Sequence, residues 1–302
     1  MITMKTTTSR LNLTADNGLG PIGKLKWFIY NIINNFSPTS DIDESIIQEV
    51  FKPNNYDNLN KVSLMASPAR KLCDLFWMDL DWKKISKDLN RQIKAIEVGA
   101  GTGIYGKLID SIVKDSLFSY TGIDIYKDKE WEENRLNSKF KFILGDASSI
   151  RNELENVNFI FTQSALEHFE NDLLFFEQVA EYVNKSSSPI IQIHLMPSQG
   201  CITTYPWHGY RQYTPRTISQ ITHLFNTNTK KRLVSLGSQN SNAVHRKFIT
   251  FPRLLKKYDD RNLRIKEYNE EVLKAMKLDV VKPKNNSASF YALIMSTNTK
   301  YF

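Results

Sequence analysis

Residues 95–110, AIEVGAGTGIYGKLID, decide how the rest of the chain is read. Two glycine signatures overlap there. From Gly101, Gly103 and Gly106 the stretch is G-x-G-x-x-G, the dinucleotide pattern; from Glu97, Gly99, Gly101 and Gly103 it is E-x-G-x-G-x-G. In both, glycines after a buried strand allow a tight turn and a close backbone approach to a ligand; in the dinucleotide reading the helix N-terminus would also hold a pyrophosphate. The loop alone does not name that ligand. Ile104, Leu108, Ile112 and Val113 recur at helical spacing, so a helix is expected to begin inside the glycine run.

Outward from this turn, short β-rich apolar runs alternate with helical patterns from residue 93 onward, which predicts a sheet covered by helices. The strand candidates are IKAIEVG, FSYTGID, KFILGD, VNFIFTQ, PIIQIHL, RLVSLG and SFYALIMS. The expected fold is therefore α/β, a Rossmann-like seven-stranded sheet with helices on both faces. Thr214 and Pro215 read as N-cap and first helical residue of TPRTISQITHLF. One long helix is expected through residues 252–277, with Leu255, Tyr258, Ile265, Tyr268, Val272 and Met276 on one face. It falls in a basic helical insertion at about 238–285 of a 91–302 domain.

Residues 1–90 lack the strand pattern and are expected to form a helical N-terminal extension or lid, with helices over DIDESIIQEVF and SPARKLCDLFWMDLDWKKISKDL. A third helix is expected over residues 23–36, packing Leu25, Phe28, Ile32 and Phe36 on the domain. The other reading of that helix is an interfacial anchor beside Lys24 and Lys26. It is shorter than the roughly 20 apolar residues that a bilayer crossing needs.

Composition is that of an ordinary globular protein: 302 residues, 41% hydrophobic and 24% charged, without the bias of disordered or fibrous chains. Cys73 and Cys201 are too few for a disulfide framework, the five histidines show no ligand spacing, and residues 1–18 lack a signal-peptide core. These features point to the cytoplasm and to no bound metal. The net charge of +8 is concentrated in residues 230–284, where 15 Lys/Arg face 6 Asp/Glu, a balance of +9. Such a field favours anionic partners: a phosphate-bearing small molecule, an acidic glycan or nucleic acid.

EVGAGTG resembles the first motif of class I S-adenosylmethionine-dependent methyltransferases, and the following elements over roughly residues 93–175 resemble that family in order. The resemblance implies a last strand antiparallel to the rest and S-adenosyl-L-methionine as cofactor. By it, Glu97 lies near the methionyl amino group above Gly99, Gly101 and Gly103. GIDIYK supplies Asp124, with Ile125, for the ribose hydroxyls, which an acid at that station also serves in a dinucleotide fold. GDASSI places Asp146 and Ala147 at the adenine, and VNFIFTQSALEHF places Gln163 and Ser164 beside the methyl donor. Gly106, which completes the dinucleotide pattern, is then left to ease helix packing on the first strand of that domain.

Methyl transfer to a hydroxyl benefits from a positioned base. His168, His194 and His208 all fall near carboxyl ends of strands, where open α/β sheets bind ligands, and His168 and His208 are the catalytic candidates. TTYPWHGYRQYTPRTI, residues 203–218, offers Trp207, Tyr210, Arg211 and Tyr213 as substrate-binding residues, aromatic faces for a sugar or base and a guanidinium for an anion. The same residues would equally serve as a cluster pinning a long loop. The stretch resembles, more loosely, methyltransferases of bacterial surface-polysaccharide gene clusters. The expected function is O-methylation of an anionic small-molecule or glycan acceptor, sugar-type and nucleotide-linked acceptors included. The alternatives are an RNA or protein methyltransferase using the basic segment, a nicotinamide-dependent oxidoreductase, and a non-catalytic cofactor-binding protein. Against base methylation, TQSALEH contains no (N/D)-P-P-(Y/F).

Overall fold

The computed structural model describes residues 5–8, 13–38, 41–90, 92–113, 117–283, 287–300 and 302. Eight strands form one sheet: β1 (Ile46–Val50), β2 (Gln92–Val98), β3 (Leu117–Asp124), β4 (Phe140–Leu144), β5 (Phe159–Gln163), β6 (Ile190–Pro197), β7 (Lys230–Leu236) and β8 (Phe290–Thr297). Their order is β1-β7-β8-β6-β5-β2-β3-β4. β8 lies antiparallel between β6 and β7, and the other pairings are parallel. All seven expected strands are present, the last of them antiparallel. β5, β6 and β8 are buried throughout, which is why they read as near-continuous apolar runs.

The helices are α1 (Pro21–Phe36), α2 (Pro68–Asp79), α3 (Trp82–Asp88), α4 (Ile104–Val113), α5 (Glu130–Asn134), α6 (Asp172–Lys185), α7 (Pro215–Thr222), α8 (Gln239–His245), α9 (Phe251–Lys256) and α10 (Ile265–Val281). Two apolar cores divide the sheet's faces. Phe159 and Phe161 of β5 enter one with Trp77, Trp82, Tyr120 and Phe248; Ile160 enters the other with Phe175, Val179, Ile218 and Leu293. This is the period-two alternation of a strand. Full burial of one such side chain is worth about 1.5–3 kcal/mol, and Phe161→Ala would cost about 3–5 kcal/mol through the cavity it leaves.

Several local expectations are corrected. Residues 41–51 end in the edge strand β1, not a helix: β1 pairs with β7, and Asp43 just before it is fixed by Lys231 at 2.7 Å and by Thr222 Oγ1 at 2.7 Å. Covering the exposed edge of β7 outweighs the helical spacing of Ile46, Ile47, Val50 and Phe51. Residues 252–277 are two helices, because Lys257 takes a left-handed φ of 67° and ends α9. The 67–89 helix likewise breaks, after Asp79, into α2 and α3. In α4 the buried face runs through Tyr105, Ile109 and Val113, leaving Ile104 exposed.

α1 also turns a different face inward. Trp27 and Asn31 are its buried residues, held by hydrogen bonds from Trp27 Nε1 to the Gly209 carbonyl and from Asn31 Nδ2 to the Tyr210 carbonyl. Leu25 and Phe36, expected to pack, are exposed with Ile22, Ile29 and Ile33. The buried indole and amide find carbonyl partners, which a purely apolar face would leave unpaired. Among the described residues no helix is long and apolar enough to cross a membrane.

Candidate functional site

The turn after β2 is shaped by three left-handed glycines, Gly99 (φ 79°), Gly101 (φ 51°) and Gly103 (φ 80°). A Cβ on Gly99 would stand 2.3 Å from Ala165 Cβ, and one on Gly103 2.7 Å from the Phe142 ring, so the loop fits only as glycine. Gly106 is crowded too, but by the Tyr120 ring at 2.5 Å, so it eases packing on β3 and not on β2.

The turn borders a cavity of about 560 Å³ at the carboxyl ends of the central strands, lined by Gly99, Gly101, Asp124, Ile125, Asp146 and Ala147 among others. With Ser164, seven of the residues expected around the cofactor thus line one cavity, and Gly103 is not among them. Asp124 Oδ2 accepts from the Gly101 N–H at 2.8 Å and Oδ1 from the Tyr126 N–H at 3.1 Å. Asp146 Oδ1 accepts from the Ser148 N–H at 2.7 Å. Each carboxylate keeps unused acceptor capacity for hydroxyl or amine donors. Val98, Ile123 and Phe169 add an apolar wall.

Glu97 lies beneath the loop, 1% exposed and outside that lining, and its Oε2 accepts from Tyr120 Oη at 2.5 Å. Burial pushes its carboxyl up to about 8, with Asp124 adding to the shift against the Tyr120 hydrogen bond. Gln163 is turned away from the first cavity. Its Oε1 accepts from Trp77 Nε1 at 2.9 Å, and it lines a second cavity of about 410 Å³. Ser164 and His168 line both cavities and mark where they meet.

At that junction, His168 Nδ1 donates to Asp16 Oδ2 at 2.8 Å, and the His168 and His208 rings meet edge to face at 4.7 Å between centroids. Glu167 is fully buried; its Oε1 accepts from Ser164 Oγ at 2.7 Å and stands 3.9 Å from His168 Nε2 and 3.8 Å from His208 Nε2. Burial lowers both imidazoles, but the Asp16 hydrogen bond and nearby carboxylates hold His168 above the usual histidine value, whereas His208 stays below it. Burial would raise the Asp16 carboxyl, yet the hydrogen bond from His168 brings it down to about 2. Donor atoms of Asp16, His168 and His208 lie within 4.8 Å of one another, a grouping that sequence spacing gave no sign of.

His194 stands apart from this chemistry. It is buried in the sheet against Phe175 and Phe176, with Nδ1 3.1 Å from Thr162 Oγ1, and burial pushes it down to about 3.

The aromatic stretch is divided between structure and site. Arg211 is 1% exposed; it donates to the Phe169 and Glu170 carbonyls and pairs with Asp172 at 3.1 Å. Tyr213 is buried with its hydroxyl on the Leu166 carbonyl and Asp172. Trp207 packs on α1, donating from Nε1 to the Lys24 carbonyl. These three pin the loop and line neither cavity: the two terminal nitrogens of Arg211, the Tyr213 hydroxyl and Trp207 Nε1 are engaged by backbone carbonyls and Asp172. Tyr210 lines the first cavity, not the second. Sequence reasoning missed Thr14, Asp16 and Asn17 on the first cavity and Arg70, Tyr205 and His245 on the second. Of these, only Tyr205 lay in the aromatic stretch singled out for substrate binding, while His245 fell in the basic segment 230–284.

No family model and no curated protein matches the chain. Solved structures similar to it include a sarcosine dimethylglycine methyltransferase from Galdieria sulphuraria, at 15% identity and a TM-score of 0.46, covering 75% of this chain and 86% of that one. Another is a SAM-dependent methyltransferase from Archaeoglobus fulgidus, at 16% identity and 0.45, covering 80% and 100%. A third is the plantazolicin methyltransferase BpumL in complex with a triazolic desmethylPZN analog and SAH, at 13% and 0.45, covering 80% and 89%.

Proposed function

We propose that this chain is an S-adenosylmethionine-dependent methyltransferase that methylates an oxygen of a small, anionic acceptor, with a sugar or glycan as the favoured acceptor type. One observation carries the reading. The glycine turn, Asp124 and Asp146 line one cavity, and that cavity shares Ser164 and His168 with a second one sized for a small molecule. The residues of the first cavity fit the cofactor: Asp124 would hold the ribose, and Asp146 and Ala147 the adenine. Glu97, beneath the glycine turn and outside the lining, would face the cationic methionyl end from below. The bound cofactor supplies an activated methyl group on a sulfonium.

The protein's part is to align the acceptor and take its proton. With Nδ1–H committed to Asp16, neutral His168 presents the Nε2 lone pair at the junction. His168 Nε2 would hold the acceptor hydroxyl and receive its proton as the methyl group is transferred to the oxygen. Glu167 at 3.9 Å and Asp16 stabilise the imidazolium that results. His208, kept neutral by burial, orients the acceptor from the second cavity.

Part of the basic segment is paired within the fold: Lys247 pairs with Glu267 and Glu271, Arg253 and Arg261 with Asp259, Arg264 with Glu267, and Lys231 with Asp43. These pairs engage five of its fifteen Lys/Arg and leave a positive field that favours an anionic acceptor.

Calorimetry with S-adenosylhomocysteine and with NAD tests the cofactor. Binding of the first alone supports this reading, and binding of NAD alone defeats it. Mass spectrometry of candidate acceptors after incubation with labelled donor identifies the methylated atom.

A further inference from the structure

The second cavity carries polar groups that the chemistry above does not use. His245 is 2% exposed and lines it. Its tautomer follows from its neighbours. Thr250 Oγ1 donates its proton to the Thr204 carbonyl at 2.9 Å, so it meets His245 Nδ1, 2.9 Å away, as an acceptor. Nδ1 therefore carries the hydrogen and Nε2 the lone pair. No described residue meets Nε2. Burial and the surrounding arginines push this imidazole down to about 3, so it stays a neutral acceptor and does not act as a base near neutral pH.

Three guanidiniums line the same cavity, those of Arg70, Arg253 and Arg261. Asp259 accepts from both Arg253 and Arg261, and Arg70 reaches Asp74 only through the Tyr105 hydroxyl. Two carboxylates facing three guanidiniums leave positive charge in the cavity. The Tyr205 ring, 4.4 Å from that of His245, supplies a flat apolar face between the charged end and the junction histidines.

Resting on the assignment of this cavity to the acceptor, we propose that it takes a hydroxylated organic anion, whose carboxylate or phosphate sits on Arg70, Arg253 and Arg261 and one of whose hydroxyls donates to His245 Nε2. A bare anion satisfies the arginines but leaves the buried lone pair without a donor. A neutral polyol does the reverse. Discrimination against both follows, since each leaves a buried polar group unpaired.

The test is calorimetric titration of the full chain, with and without saturating S-adenosylhomocysteine, against glucuronate, glucose 1-phosphate, glucose and cyclohexanecarboxylate. Glucuronate or glucose 1-phosphate should bind about tenfold or more tighter than glucose and cyclohexanecarboxylate, and which of the two prevails tells carboxylate from phosphate. His245→Leu should weaken that ligand by roughly tenfold and leave cyclohexanecarboxylate unchanged. Thr250→Val, which frees the tautomer without touching the ring, should weaken it in the same direction and serves if the leucine variant fails to fold. Glucose binding as tightly as both anions overturns the proposal. So does no binding by any of the four at about 20 mM, or a folded His245→Leu or Thr250→Val chain that binds the preferred anion as the parent does. Loss of S-adenosylhomocysteine binding alone would defeat the cofactor assignment while the titrations without it still decide this one.

Discussion

Asp16 and His168 lie 152 positions apart and are joined by a hydrogen bond of 2.8 Å at the point where the two cavities meet. Asp16 is itself held by the Gly209 N–H on its other carboxylate oxygen, so the N-terminal segment, the aromatic loop and the β5 loop converge on one imidazole. Asp16 is a positioning residue: it fixes the His168 tautomer and the height of its proton affinity.

Asp16→Asn keeps an acceptor oxygen but removes the charge. With His168 as the proposed base, turnover should rise with pH through the His168 value, which Asp16 holds above the usual one. In the variant that rise should move to lower pH and the plateau of kcat should fall by roughly tenfold. Stability gives a second readout. The raised His168 contributes fully below its unfolded value and less as pH climbs through the folded one. Asp16, lowered to about 2, contributes above its unfolded value and less as pH falls toward 2. The loss in the variant should therefore be greatest between about pH 4 and 6.5. A pH–rate profile that does not move would remove Asp16 from this role.

Glu97 is raised to about 8 by burial, so the free protein holds its proton at neutral pH. A carboxyl raised on folding costs stability as pH climbs from its unfolded value toward 8. In the proposed cofactor site a bound cationic methionyl group would lie over it and favour the ionised form, so binding near pH 7 should release a proton. Calorimetry in buffers of different ionisation enthalpy reads that release directly. Glu97→Gln should abolish it, retain the fold and weaken the cofactor. Equal proton release by the parent and the variant would place the titrating group elsewhere.

How much of this was legible in sequence follows from where each residue gets its neighbours. Gly99, Gly101, Asp124 and Asp146 each end or follow a strand, and strand ends in a parallel sheet converge whatever the helices between them do. Asp16, Arg70 and His245 reach the site from separate segments, and nothing local distinguishes them from surface charges or a core histidine. Ile46, Ile47, Val50 and Phe51 fit a helix by spacing, and only the open edge of β7 makes them a strand. The α1 reading failed for a related reason, since Trp27 is chosen by the Gly209 carbonyl it meets and not by apolar periodicity.

Lys231 and Asp43 form an ion pair at 2.7 Å in which both side chains are less than a tenth exposed. Burial would raise Asp43, but Lys231, Ser45 and Thr222 hold it well below the usual carboxylate range. Lys231→Met leaves that charge buried and unpaired, a loss of about 3–5 kcal/mol near neutral pH. A lowered carboxyl contributes above its unfolded value, near 4, and loses that contribution as pH falls, so the gap between parent and variant should narrow below about pH 4. Urea unfolding at pH 7 and pH 3.5 measures both, and a gap that does not narrow would show that Asp43 is not its source.

Gly209 joins the aromatic loop to the N-terminal segment at a position no other residue fits. Its φ is 59°, and a Cβ there would stand 2.5 Å from the Glu167 carbonyl oxygen, a backbone atom that cannot swing aside. Its own carbonyl accepts from Trp27 Nε1 and the Ala15 N–H, and its N–H donates to Asp16 Oδ1. In Gly209→Ala the loop must lift, and α1 and Asp16 lose their anchor together. Left-handed strain of about 1–2 kcal/mol and the lost hydrogen bonds should lower the melting temperature by roughly 5–10 °C. Turnover should fall with it, because Asp16 no longer holds His168. Gly18→Ala is the control: its φ of 78° carries the same strain, but a Cβ there meets nothing within 4 Å. It should show a small thermal loss of about 2–4 °C and a normal pH–rate profile. If the two variants behave alike, the Glu167 contact is not what Gly209 provides.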